Sequence, residues 1–201
     1  MLLQQAWRLT QVEQDRWREC TYIRYLAMTE LEAGNPAAAL PYCDLMLEVA
    51  TKIEGEGSER AVAIALAALA HYQMSQPDAD MALERINRAI ATLQLVDAKR
   101  MLAYVLIGAA AVDLESDRPG LAVERARTAL QNARIVNHPS EIALSWAILV
   151  QGLLALGEHK QAAIQLEELR QTVNYHDLSF LALNASERAS EKVQIGVSTA
   201  H

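Results

Sequence analysis

Few side chains in this sequence stand at spacings that could do chemistry. The five histidines are scattered. His138, His159 and His176 fall near expected helix ends, where an imidazole caps the backbone or a cation meets the helix dipole. That spacing assembles no metal site. Glu167 and Glu168 are adjacent and point to different parts of a helix, a poor geometry for an acid–base pair. Glu84/Arg88 and Glu124/Arg127 have the i,i+4 and i,i+3 spacing of exposed ion pairs. The sequence contains no GxxxxGK[ST], GxGxxG, HExxH, CxxC or GxSxG, so it lacks the common phosphate, zinc, redox and nucleophile-elbow signatures. These observations predict a chain without catalysis, cofactor or metal. Three polar residues stand apart: His71, Tyr104 and Gln151 lie amid alanine and leucine, where a polar group needs a partner. They are the candidates for specificity.

Composition narrows the class. Hydrophobic residues make up 52% of the 201 residues but aromatics only 5%, and alanine and leucine supply most of the apolar mass. Such a chain suits helices packed closely on small side chains. The formal charge of −7 repels phosphate, which argues against direct nucleic-acid binding. Arg16, Arg18 and Arg24 form the densest basic patch and read as a solvated helix end. Cys20 and Cys43 fall in helical stretches and are expected to be buried free thiols in a reducing compartment. The start, MLLQQAWRLTQ, lacks the pattern of a secretory signal. The apolar stretches 101–112 and 142–156 are shorter than the roughly 18–20 residues of a membrane span. The expectation is a soluble, cytoplasmic protein with no membrane partner.

The positioning elements emerge from a repeat. Ala82, Ala122 and Ala162 are 40 residues apart, with Ala39 a further 43 before; each begins a similar amphipathic segment. Ala63, Ala103 and Ala143 open a second, more apolar set at the same interval, and Asp97, Asn137 and Asp177 mark the linkers. Asp and Asn at such points can cap the following helix. The additional three residues of the first interval fall in the acidic loop EGEGSE. The unit is therefore a helix pair, A then B. The spacing predicts A1 17–33, B1 37–53, A2 59–75, B2 79–95, A3 99–115, B3 119–135, A4 140–156, B4 159–174 and A5 178–192. Pro36, Pro77, Pro119 and Pro139 fall between helices or in first turns. Pro41 conflicts with a B1 that starts at Ala37, and predicts a late start or a bend.

The fourth unit reads Trp146-x2-Leu149-Val150-x2-Leu153, then Ala162-x3-Leu166-x2-Leu169. This resembles the tetratricopeptide repeat, W-x2-L-G-x2-Y followed by A-x3-F. Small residues recur at the matching positions of the other units, such as Ala110, Ala122, Ala126 and Ala129. The resemblance covers about residues 17 to 192. It departs from the pattern in a unit of 40 rather than 34 residues, with helices about one turn longer, and in degenerate Gly and Tyr positions. The long variant looks like the helical-repeat regions of large bacterial transcription regulators of the maltose-regulon activator class; HEAT and armadillo repeats are the structural alternative. The resemblance implies an all-α fold, a right-handed α-α superhelix of about four and a half helix pairs. The implied organisation is one domain over 1–192: a lone first helix in 1–16, repeats 17–57, 58–97, 98–137 and 138–177, a last helix 178–192, and a tail 193–201.

In such a superhelix the A helices line the concave face. The family's groove positions then fall on Arg24 and Met28 in A1, Ile64 and His71 in A2, Tyr104 and Ile107 in A3, Leu144 and Gln151 in A4, and Asn184 in A5, with Thr21, Ala67, Ala111, Ala147 and Glu187 beside them. The family's clamp for peptide carboxylates needs Lys, Asn and Arg, and only Arg24 and Asn184 fit. Helices A2, A3 and A4 are apolar almost all round, so this face must close on itself, receive a partner or pair with a second copy. The implied function is a protein-interaction or sensor module binding an apolar or amphipathic segment; the alternatives are a small-molecule effector receptor using the same bore, or a homodimerisation module. Ala6 sits 40 before Met46, so residues 2–13 are expected to form a lone B helix packed through Leu2, Leu3, Ala6 and Leu9. That helix is either a cap or the remainder of an earlier unit in a longer protein.

Overall fold

Helix length in this protein is set by where the chain can turn. The computed structural model describes residues 2–55, 57–75 and 79–199; Pro77, expected between helices, lies outside them. The described residues form α1 Leu2–Glu13, α2 Arg16–Glu32, α3 Pro36–Ala50, α4 Ser58–Ser75, α5 Ala79–Leu95, α6 Lys99–Glu115, α7 Pro119–Ile135, α8 Pro139–Ala155, α9 His159–Thr172 and α10 Phe180–Thr199, with a 3₁₀ turn at Tyr175–Asp177 before the last. Helices α5, α6, α7 and α8 each have 17 residues. They begin at 79, 99, 119 and 139, and α9 follows at 159. The repeating element is therefore a 20-residue half-unit, one helix and a three-residue turn, and two of them make the period of 40.

Each such turn contains one residue in the left-handed region: Gln14, Gly34, Asp97, Asp117, Asn137 and Gly157, with φ between 49° and 76°. The backbone bonds are the same each time. At the end of α7 the Asn137 N–H donates to the Arg134 carbonyl (3.1 Å) and the His138 N–H reaches back to that of Ala133 (3.2 Å). At the end of α6 Asp117 donates to Leu114 (3.2 Å) and Arg118 to Asp113 (2.9 Å). This pairing satisfies carbonyls that a helix end otherwise leaves bare. Asp and Asn tolerate the left-handed conformation better than other residues with a Cβ. Asp97 and Asn137 thus terminate the preceding helix and do not cap the next, as the spacing alone suggested. Asp177 plays neither part: it ends the 3₁₀ turn, which Asn174 caps by accepting the His176 N–H (3.2 Å).

Other expectations also need correction. Helix α3 starts at Pro36, on schedule, and carries Pro41 in its interior. Ala37, whose carbonyl loses its partner, is exposed, so water can meet it. Helix α10 continues through Thr199, where the pattern predicted a tail from 193. Helix α1 forms over the expected residues and packs on α2, but its buried side is rotated from the one predicted. Leu2 and Leu9 are 82% and 63% exposed, while Leu3, Ala6 and Trp7 are half-buried and Thr10 is buried. The Thr10 hydroxyl donates to the Trp7 carbonyl (2.6 Å), and the Trp7 indole N–H reaches Glu19 of α2 (3.4 Å).

The chain forms two compact units, Met1–Ala98 and Lys99–His201. Within each, consecutive helices pack on one another, and A helices also meet: α2 with α4, α6 with α8, and α8 with α10. The core repeats with the turns. Ala89, Ala109, Ala129, Leu149, Leu169 and Ala189 are all buried, as are Ile86, Leu106, Ala126, Trp146, Leu166 and Ser186. Alanine at these points brings helices together closely, and Gly152 closer still: a Cβ there would lie 2.7 Å from Val123 Cγ2 on α7. Helix α8, surrounded by α6, α7, α9 and α10, buries every residue from 141 to 150. Cys20 and Cys43 are free and buried, as expected. Burial, with nearby carboxylates, pushes both thiols up to about 12.

One core position breaks the apolar series. Leu93, Ala133, Leu153, Val173 and Val193 are buried at intervals of 20, and Asp113 takes the same place fully buried. Arg125 Nε donates to Asp113 Oδ2 at 2.6 Å, and Arg118 Nε lies 3.6 Å from Oδ1. The carboxylate ties α6 to the start of α7.

Two predictions follow from this frame. Asn137→Val forces a β-branched residue into the left-handed turn; it should cost about 1–2 kcal/mol and lower Tm by about 2–8 °C, whereas Asn137→Gly should hold or raise it. Equal Tm values would remove the turn from its governing role. Arg125→Ala strands a buried carboxylate and should cost about 3 kcal/mol in denaturant unfolding. Asp113→Leu/Arg125→Gln, which restores the apolar series, should recover most of that loss.

Candidate functional site

Unit one contains a cleft of about 550 Å³ walled by α3, α4 and α5. Helix α4 supplies its length: Arg60, Ile64, Ala67 and His71 follow one another along one side, at the i, i+4, i+7 and i+11 positions of a helical face. Cys43 and Leu47 close one wall from α3, and Ala89 and Thr92 the other from α5. Ile64 is 38% exposed within this apolar surface. The rim is charged: among the described residues it has Arg60, Arg85 and Arg88 against a single acid, Asp44. Arg88 pairs with Glu84 one turn earlier on α5. Among the described residues no carboxylate lies within ion-pair distance of Arg60 or Arg85. The Cys43 thiol is 1% exposed and held protonated by burial, so it supplies apolar surface and not a nucleophile.

The structure gathers Ile64, Ala67 and His71 into this cleft and disperses the other predicted groove residues. Arg24 is buried, with its guanidinium 5.2 Å from the Tyr25 ring centroid, and Met28 is half-buried on the same helix. In unit two Ile107 and Leu144 are buried and Tyr104 is half-buried. Gln151 accepts a hydrogen bond from Lys192 Nζ of α10 at 3.0 Å. Asn184 is half-buried on α10. The apolar character of α6 and α8 is accounted for by their helical neighbours. The arginine rim, contributed partly by a B helix, was missed because those arginines look like any exposed B-helix charge; the signal available was that Arg85, unlike Arg88, has no acidic residue three or four positions away on its helix.

Two polar groupings in unit two do structural work. His138, Glu141 and Arg100 meet at the start of α8: Arg100 Nη2 is 3.0 Å from His138 Nε2, and Arg100 Nε is 3.6 Å from Glu141 Oε1. Because arginine only donates, Nε2 accepts, which leaves the proton on Nδ1, 3.8 Å from Glu141 Oε1. The imidazole then cannot also cap the Glu141 N–H, whose 3.4 Å approach to Nδ1 is a contact only. Burial, and then the Arg100 charge, hold the His138 pKa below its usual value. The second grouping surrounds Trp146, whose indole N–H donates to Gln165 (3.1 Å) while Arg134 stacks 4.7 Å over the ring. A groove of about 190 Å³ beside it is lined by Gln161, Gln165, Arg127 and Arg134. Among the described residues no three His, Cys, Asp or Glu side chains cluster to hold a metal, and no helix is long and apolar enough to cross a membrane.

No family model matches the chain, and no curated protein matches it. Among solved structures it is similar to a signal transduction ATPase with numerous domains (STAND) that carries a tetratricopeptide repeat sensor, from Pyrococcus horikoshii. The TM-score is 0.57 at 17% sequence identity, over 88% of this chain and 26% of that one. The chain thus spans about a quarter of that protein's length. The likeness is one of fold: this chain is an all-α helical-repeat solenoid of the tetratricopeptide type.

Proposed function

We propose that the chain is a protein-interaction or sensor repeat module, without chemistry of its own, that receives an apolar or amphipathic partner segment in the cleft of unit one. The observation that carries this reading is the half-exposed apolar wall at Ile64 and Ala67 beneath a polar, cationic rim. A concave apolar surface with a few convergent polar groups is the usual form of a recognition site. The similar STAND protein is described as having a tetratricopeptide repeat sensor, which supports a sensing or docking role. The long helix pair further suggests a region of a larger bacterial regulatory protein, of the kind found in transcription regulators of the maltose-regulon activator class, acting in the cytoplasm.

A second reading has its own support. A cleft of about 550 Å³ lies inside the range of roughly 300–1,000 Å³ typical of small-molecule sites, so an effector receptor using the same walls is the alternative.

Ile64 and His71 are both exposed, so replacing them should leave the fold intact. Quantitative affinity purification with Ile64→Gln or His71→Ala should lose at least one partner by about tenfold, ~1.4 kcal/mol, at unchanged helicity and Tm. Glu124→Ala, on the exposed side of α7, should change none. Partners that persist with the cleft variants and vanish with Glu124→Ala would move the site to the B-helix faces.

A further inference from the structure

We infer that the segment received by the cleft is acidic: an amphipathic peptide that sets an apolar side chain against Leu47, Ile64 and Ala67 and brings carboxylates to Arg60 and Arg85. This rests on the reading of the cleft as the binding site and specifies its partner. Among the described residues three arginines face the cleft against one aspartate, in a chain whose formal charge is −7. Cationic charge is concentrated there against the trend of the molecule. Arg88 is already shared with Glu84, which leaves Arg60 and Arg85 to recognise a ligand.

The repeat supplies an internal precedent. Arg85 and Arg125 occupy the same position of successive units, 40 residues apart. Arg125 binds the buried carboxylate of Asp113, which belongs to the preceding helix. The position equivalent to Asp113 before Arg85 is Gln73, which is exposed. Arg85 thus has a neutral residue at the repeat position where its counterpart has an acid, and it lines an open cleft. A bound carboxylate would supply to Arg85 what Asp113 supplies to Arg125. Arginine's planar donor set favours carboxylate over other polar partners. The apolar wall lies between the Arg60 end of α4 and the α5 arginines, so the matching ligand alternates acidic and apolar groups.

The test uses the full chain and a random library of peptides of about twelve residues, the helical length that matches the ~17 Å from Arg60 to His71 along α4. The peptides are blocked at both termini, so that only side-chain carboxylates count. Selected peptides should be acidic, with an apolar residue between the acids. In calorimetry their Glu→Gln versions should bind at least tenfold more weakly, and raising salt from about 50 to about 300 mM should weaken the acidic form several-fold. Arg60→Gln/Arg85→Gln should abolish the acidic preference, while Ile64→Gln should weaken both forms. Neutral or basic winners that still depend on Ile64 would overturn the inference and leave the cleft's binding role standing. Winners indifferent to Ile64 and His71 would overturn both. An octanoate that binds through Arg85 while no peptide is enriched would assign the site to a small acid. Self-association relieved by Ile64→Gln would assign it to a second copy; either result overturns the peptide.

Discussion

A chain that reverses direction within three residues needs one of them at positive φ, and that requirement governs this structure. Six turns meet it in the same way, with Asp, Asn, Gly or Gln in the left-handed region and the same pair of backbone bonds behind it. Placing that residue every 20 positions fixes helices of 17 residues, each about 25 Å long. It also fixes the phase of the buried face, because the same positions return to the core after every turn. Ala109, Ala129, Leu149 and Leu169 are buried for that reason, although their side chains differ in size. The cost of an Asp or Asn at positive φ, about 1 kcal/mol or more each, is offset by satisfied carbonyls and by the packing that the turn permits.

Once the turns are set, the A helices become central within their units. Helix α8 touches α6, α7, α9 and α10, so an apolar surface on every side is what its position demands. Two polar groups on it find partners close by: Ser145 donates to the Glu141 carbonyl (2.7 Å) and Trp146 to Gln165. The same sequence positions on α4 and α8 nevertheless meet different fates. Leu144 and Ala147 are buried, and Gln151 is half-buried and accepts from Lys192 of α10, whereas Ile64, Ala67 and His71 line a cleft. Repetition determines which way a side chain points; the neighbouring helix determines whether it is core or surface.

That distinction marks how far the sequence could be read. Helix existence and order were legible, because alanine periodicity and amphipathic B helices report local packing directly. The period of 40 was visible and the half-period of 20 was not, since A and B helices bury the same positions with different residues, Ala126 in one and Trp146 in the next. Asp97 and Asn137 were recognisable as punctuation, but an Asx residue suits a helix start and a left-handed stop equally well. On α1, the 40-residue interval places Ala6 on the packed side, where it is half-buried, whereas the large apolar Leu2 and Leu9 are exposed. The burial of Ile107 and Leu144 comes from packing between helices, which no local pattern encodes.

A fixed frame of this kind leaves individual polar substitutions to create differences between units. The exchange of an apolar residue for Asp113 converts one core position into an ion-pair anchor, and it does so without moving a helix boundary: α6 keeps the 17 residues of α5. The corresponding arginine of the preceding unit, Arg85, then carries the same charge where the equivalent position is the neutral Gln73. Electrostatic individuality arises at the seam between an A helix and the B helix that follows it, where a side chain can reach across the turn. Function in such a protein is therefore sought where a repeated position changes its chemistry while its backbone does not, and Arg85 beside Ile64 is such a position in unit one.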